Sequence, residues 1–241
     1  MGRRGGDSSL LAGSMRGSAM DAPLPLPMLM PLGDRAFLIR FGASLSEAAN
    51  RAAIAFARRL DLRTPEGVEE IDPNLVSVLV RYDPTRVVPE RLAGELRLLL
   101  SGTDDARSSP PRQHRIEVHF GGEDGPDLDS VAQVLNLTPA EFVAAHNASV
   151  LRVLTTGFAP GFVYCGFHPE ALHLPRRTEI HTRVPPGSVL FAAGQTAITA
   201  TPIPTGWHVI GRTDFANFVP DRDPPTRLRE GDEISFVRAG S

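Results

Sequence analysis

Beyond Val150 the chain loses its helical period. Short apolar runs at 151–154, 189–192, 197–200, 208–210 and 234–237 alternate with glycine and proline turns. Runs of that length, punctuated in that way, predict many short strands assembled into an antiparallel barrel or sandwich. This single property removes most α-helical and doubly wound architectures from the second half of the chain.

The first half follows different rules. Residues 35–41 read as a strand, and Ser46 is placed to cap a helix over 47–60 with apolar spacing at Ala49, Ala53, Ile54 and Ala57. A short strand at 68–71 is broken by Asp72-Pro73-Asn74, and 75–82 is a second β-prone run. Pro89 suits the first turn of a helix reaching Leu100. Strand, helix, strand, strand, helix is most of a ferredoxin-like α/β plait. Residues 1–27, rich in Gly, Ser and Pro, are expected to be a disordered leader or tag, and 28–101 the N-terminal α/β domain. Residues 102–113 read as a linker and 114–241 as the β-barrel domain. That domain opens with a strand over 114–120 and two short helices near 128–135 and 139–146, the second capped by Thr138.

All 25 basic residues of the 241-residue chain are arginine. Without lysine there is no Schiff base, no biotin attachment, no Walker A loop and no Ser-Lys dyad. Fixed positive charge must come from guanidinium groups, which grip carboxylates through a planar fork. The net charge of -3 gives no general attraction to nucleic acid or an anionic membrane. Cys165 is the only cysteine, so no intrachain disulfide exists. With no apolar run long enough to span a bilayer, a reducing cytoplasm is the expected setting.

Candidate site residues concentrate between Thr155 and Thr213. In Gly157-Phe158-Ala159-Pro160-Gly161-Phe162-Val163-Tyr164, a Pro-Gly turn would present Phe158, Phe162 and Tyr164 around a bend. Those rings either plug the barrel or form a wall that stacks on a flat amide or lactam. Arg176, Arg177 and Arg183 lie near prolines, in loops, either solvated or facing a carboxylate or phosphate. Arg212, between Gly211 and Thr213, invites the same reading. Gln195 and Thr196 after Gly194 are either a structural turn or an amide-and-hydroxyl pair for an amide substrate. Trp207 is core or ligand platform. His146 ends a helix, where a dipole interaction would explain it. The histidines lack metal-ligand spacing, so no metal is expected, and neither a G-x-S-x-G elbow nor a Ser/His/Asp set is legible. No catalytic residue is assigned.

The ordered motifs resemble the KipI family, the B-subunit family of bacterial 5-oxoprolinase, formerly called allophanate hydrolase subunit 1. The resemblance is carried by Pro31-Leu32-Gly33-Asp34-Arg35-Ala36, the 157–164 loop, Pro175-Arg176-Arg177, Thr182-Arg183-Val184-Pro185, Gly194-Gln195-Thr196, and Gly206-Trp207 with Ile210-Gly211-Arg212-Thr213. His146 also matches a family position. The sequence departs from the family at Cys165-Gly166-Phe167, at Ala197-Ile198-Thr199-Ala200 and at His208, which replaces a usual glutamine. The resemblance implies a cyclophilin-like barrel and a non-autonomous component of an ATP-dependent 5-oxoprolinase. Its implied partners are a KipA-like protein (the C component of the complex) and a lactam-hydrolase-type protein (the A component). ATP and Mg would be used by the assembled complex. The alternatives it leaves are an inhibitor of a sporulation histidine kinase and a carboxyltransferase-like module of a urea or allophanate pathway. Allophanate-cleaving amidases use a serine pair with a lysine, so the lysine-free chain cannot itself be one.

Overall fold

The structure, a computed structural model, describes residues 27–102 and 110–240. Residues 1–26 of the expected leader and 103–109 of the expected linker lie outside the described residues.

The N-terminal half is a four-stranded sheet with two helices. Its strands are β1 (Met28–Pro31), β2 (Ala36–Arg40), β3 (Val68–Pro73) and β4 (Ser77–Tyr82), in the order β1-β2-β4-β3. All three pairings are antiparallel. Alternation along β2 and β4 sends Phe37, Ile39, Val78, Val80 and Tyr82 into one core. Helices α1 (Glu47–Leu62) and α2 (Pro89–Ser101) supply the other side of it through Ala53, Phe56, Leu60, Leu92 and Leu96. Ser46 caps α1 by accepting from the Ala49 amide at 3.2 Å, a contact worth about 1 kcal/mol. The edge strand β1 was not expected. It is four residues long and ends on a proline, a composition that pairs on one side only.

The C-terminal half is a closed barrel. Its strands are β5 (Gln113–Phe120), β6 (Leu151–Thr156), β7 (Val163–Gly166), β9 (Ser188–Ala192), β10 (Gln195–Ile198), β12 (His208–Arg212) and β13 (Glu233–Arg238). The chain also forms β8 (His181–Val184) and β11 (Ile203–Thr205), a separate two-stranded ribbon. Helices α3 (Leu128–Val134) and α4 (Pro139–Asn147) add Val131, Phe142 and Val143 to the barrel core. A reciprocal Thr138–Glu141 capping box starts α4.

Two expectations about the barrel are corrected. It is not wholly antiparallel: β13 runs parallel to β5 over six residue pairs. The first and last strands of the barrel are joined by all the chain between them, so the crossover a parallel pair requires is available. Gln195 and Thr196 are not in a turn either. The turn is Ala193-Gly194, both with positive φ (51° and 69°), and Gln195 begins β10.

Both faces of β9 and β10 are buried, which explains why period-two alternation was weak there. Val189, Phe191 and Ile198 face the barrel interior with Val153, Val163 and Cys165. Leu190, Ala192 and Ala197 face outward and join Val184, Ile203 and Trp207 in a second cluster. The two halves meet where Asn50 of α1 reaches β6. Asn50 Nδ2 donates to the carbonyls of Leu75 and Leu154, each at 2.9 Å.

Candidate functional site

The 157–164 loop is built by backbone geometry. Gly157, Phe158 and Gly161 have φ of 123°, 75° and 69°. A Cβ on Gly161 would lie 2.5 Å from that of Phe218 and 2.7 Å from that of Ala200, so only glycine fits. Phe158 is held in a left-handed conformation uncommon for an aromatic residue, at the exposed tip.

Strand alternation then decides where the rings go. Val163 and Cys165 point into the barrel, so Phe162 and Tyr164 point out. The outward rings form a ladder. Centroid separations are 5.6 Å for Phe158–Phe162, 4.7 Å for Phe162–Tyr164 and 5.9 Å for Tyr164–Trp207. The Arg176 guanidinium carbon stands 5.5 Å from the Trp207 ring centroid, within cation–π range. Burial pushes the Tyr164 hydroxyl above its ordinary pKa, and the charge of Arg176 acts against that rise. Phe162 and Trp207 are buried in this outer cluster, Tyr164 is half-buried and Phe158 is exposed, so the rings pack outside the barrel and do not plug it.

Arg176 also borders a cavity of ≈ 320 Å³, lined with it by Val134, Leu174, Thr178, Glu179 and His208 and by none of the four rings. His208 Nε2 donates to the Pro175 carbonyl at 3.1 Å, which leaves Nδ1 as the other ring nitrogen. That Nδ1 is buried and has no partner among the described residues. A guanidinium fork bordering a cavity of this size suits a small molecule bearing a carboxylate.

The remaining sequence candidates separate from this group. Arg177 also lines the cavity, but its Nη1 is ion-paired with Asp127. The same carboxylate accepts from the Val209 amide at 2.7 Å and meets His181 Nε2 at 2.8 Å. Asp127 is nearly buried, so Arg177 is a structural counter-ion tying the start of α3 to the 175–181 segment. Arg212 pairs with Asp124 at 3.2 Å, and with the exposed Arg183 it lines a different cavity of ≈ 150 Å³. Thr213 is buried, and its hydroxyl accepts from the Phe215 amide at 3.1 Å. Gln195 is buried with its Nε2 unpartnered among the described residues.

Thr196 points inward, away from the ladder. Its hydroxyl lies 2.9 Å from His146 Nε2 and 2.8 Å from His168 Nε2. His146 Nδ1 lies 2.8 Å from Asn147 Oδ1, an acceptor, so Nδ1 carries the proton. Nε2 of His146 must then accept from the Thr196 hydroxyl, which in turn accepts from His168 Nε2. The chain ends at His168 Nδ1, a buried lone pair without a partner among the described residues. Burial lowers the pKa of His146 to about 4. Burial, with the nearby His146 and His173, lowers that of His168 to about 3. Both rings are neutral, so the helix-dipole explanation of His146, which requires a cation, does not hold. No local signal announces the pairing of His168 with Thr196, which arises when β7 and β10 close the barrel. Cys165 is buried, and burial pushes its thiol well above the ordinary range, so it is an inert core residue.

A closed barrel joined to a small α/β sheet is the architecture of a known class. The family model for the carboxyltransferase domain, subdomains C and D, matches residues 27–228. The Kluyveromyces lactis urea amidolyase shares the fold at 16% identity with a TM-score of 0.70, over 88% of this chain and 15% of that one. Within that class the likeness narrows. The chain is 33% identical over 217 residues to the 5-oxoprolinase B subunit of Bacillus subtilis (strain 168), covering 86% of this chain and 90% of that protein. It belongs to the 5-oxoprolinase B-subunit family. The solved structure of TTHA0988 is 36% identical with a TM-score of 0.75, and the match covers 86% of this chain. There the chain spans only 40% of the longer protein's length.

Proposed function

We propose that this chain is the B subunit of an ATP-dependent 5-oxoprolinase that opens 5-oxoproline to glutamate. It would act with a KipA-like C component and a lactam-hydrolase-type A component, and be inactive alone. The observation that carries this reading is the near full-length similarity to a protein named as that component. The reading also takes the N-terminal half as a ferredoxin-like plait, the barrel as cyclophilin-like, and the cytoplasm as the setting. No helix among the described residues is long and apolar enough to cross a membrane.

ATP is assigned to the assembled complex, because a lysine-free chain has no phosphate-binding loop of the Walker type. In this proposal the chain contributes binding and orientation. Arg176 takes the substrate carboxylate, and the lactam occupies the cavity that Arg176 shares with Leu174, Thr178 and His208. A ligand of that size fits the ≈ 320 Å³ cavity. Arg183, Gln195, Thr196, Arg212 and Thr213 are outside this group.

The test is co-expression with candidate A and C components, followed by ATP-dependent hydrolysis of 5-oxoproline. The complex should turn over and the lone chain should not. Arg176→Ala should raise KM about 10- to 100-fold, the value of a lost charge-assisted hydrogen bond, while leaving assembly intact. Turnover by the lone chain, or an unchanged KM in the variant, would defeat the proposal.

A further inference from the structure

Where the two halves meet, α1 and β6 bring three arginines together. Arg51 is held by Glu47 one turn earlier, with Nε 2.9 Å from Oε1. Arg58 donates to the Glu230 carbonyl at 2.7 Å. Arg58 and Arg152 both approach Gly231, where a Cβ would lie 2.9 Å from Arg58 Nη2 and 3.3 Å from Arg152 Nη2. Arg152 has no such anchor. Its Nη1 is buried without a partner among the described residues, and no carboxylate there forms an ion pair with it. Glu233 lies opposite Arg152 in the β6–β13 register, but its carboxylate accepts from Gln113 Nε2 at 2.6 Å. Burial, and then the charges of Arg51 and Arg58, depress the Arg152 pKa, against the weaker pull of Glu47 and Glu233.

A half-buried cation with no counter-ion in contact and two like charges close by is unfavourable. Such an arrangement persists where something supplies the missing negative charge. A cavity of ≈ 180 Å³ opens at this point, lined by Glu47, Arg51, Val150, Arg152, Phe167 and Glu233. Its volume is below the ~300–1,000 Å³ usual for larger organic ligands and suits a compact anion. We infer that this seam is a binding site for a small oxyanion, a carboxylate or a phosphate, held by the guanidinium of Arg152 with Arg51 beside it. The fork geometry of guanidinium matches both oxyanions. Because α1 and β6 belong to different halves, a bound oxyanion would tie the sheet unit to the barrel. The inference stands independently of the proposed reaction and of Arg176.

The test uses the full chain. Thermal unfolding is followed in an Arg176→Ala background, which removes the carboxylate site proposed above, with inorganic phosphate, glutamate or 5-oxoproline, each against sodium chloride of equal ionic strength. Saturating oxyanion should raise Tm by several degrees over chloride, because a ligand bound to the native state alone stabilises it. Arg152→Gln should abolish that rise. In chloride alone the variant should be at least as stable as the wild type, since it loses an unpaired charge. Titration calorimetry of the Arg176→Ala chain should show one site per chain. A response to phosphate alone assigns a phosphate ligand, and a response to the carboxylates alone assigns a carboxylate. The inference is overturned if no oxyanion exceeds the chloride control, if the rise survives in Arg152→Gln, or if that variant is clearly less stable in chloride.

Discussion

Mild acid should destabilise this protein through two histidines that lie against one threonine. His146 and His168 are buried and neutral, with pKa values lowered to about 4 and about 3 from 6.5. In the unfolded chain both return to the ordinary histidine value. Below that value the unfolded state binds protons that the native state refuses, so stability falls as pH falls. Between about pH 7 and pH 5 each ring contributes a loss of about 2 kcal/mol, and the pair about 4 kcal/mol. That is a large fraction of the ~5–15 kcal/mol typical of a folded domain. The loss continues to lower pH until each ring reaches its native pKa. Asp72 works in the opposite direction, because burial and Glu70 raise its pKa and the native state takes up its proton first. The assay is urea unfolding at intervals across that range. Near about pH 5.5 the slope should correspond to uptake of about two protons on unfolding. His168→Gln keeps a donor for the Thr196 hydroxyl and removes one titrating ring, so its slope should fall by about half. A flat profile in the wild type, or an unchanged slope in the variant, would refute the reasoning.

Four further outcomes are expected. Asp127→Ala leaves Arg177 without its counter-ion and the Val209 amide without its acceptor, and should cost about 3–5 kcal/mol in a denaturant melt. Arg177→Ala should lower stability in the same assay, whereas Arg176→Ala should leave it within about 0.5 kcal/mol. Gly187→Ala combines a φ of 79° with a Cβ 2.3 Å from the Thr213 carbonyl oxygen, and should lose at least about 3 kcal/mol or fail to yield soluble protein. Cys165 should resist a thiol-reactive probe in the native state and react fully in denaturant; rapid labelling of folded protein would contradict its burial.

Much of the fold was legible because its instructions are local. Ser46 and Thr138 cap their helices where their side chains can reach amides three residues on. The short apolar runs after Val150 became strands, and the Gly157–Gly161 bend became a loop because positive φ is written into glycine itself. The absence of lysine by itself excludes whole chemistries. Partner choice was not local. Arg176 and Arg177 are neighbours with the same side chain, yet one lies over Trp207 and the other is fixed by Asp127, fifty positions away. Thr196 and Gln195 are adjacent in β10, yet barrel closure turns the threonine inward to two histidines from separate segments. The parallel β5–β13 pairing and the unpaired charge of Arg152 belong to the same category. A residue's backbone preference depends on a few neighbours in the chain. Its contacts depend on which distant strands close around it, and only the folded chain brings those together.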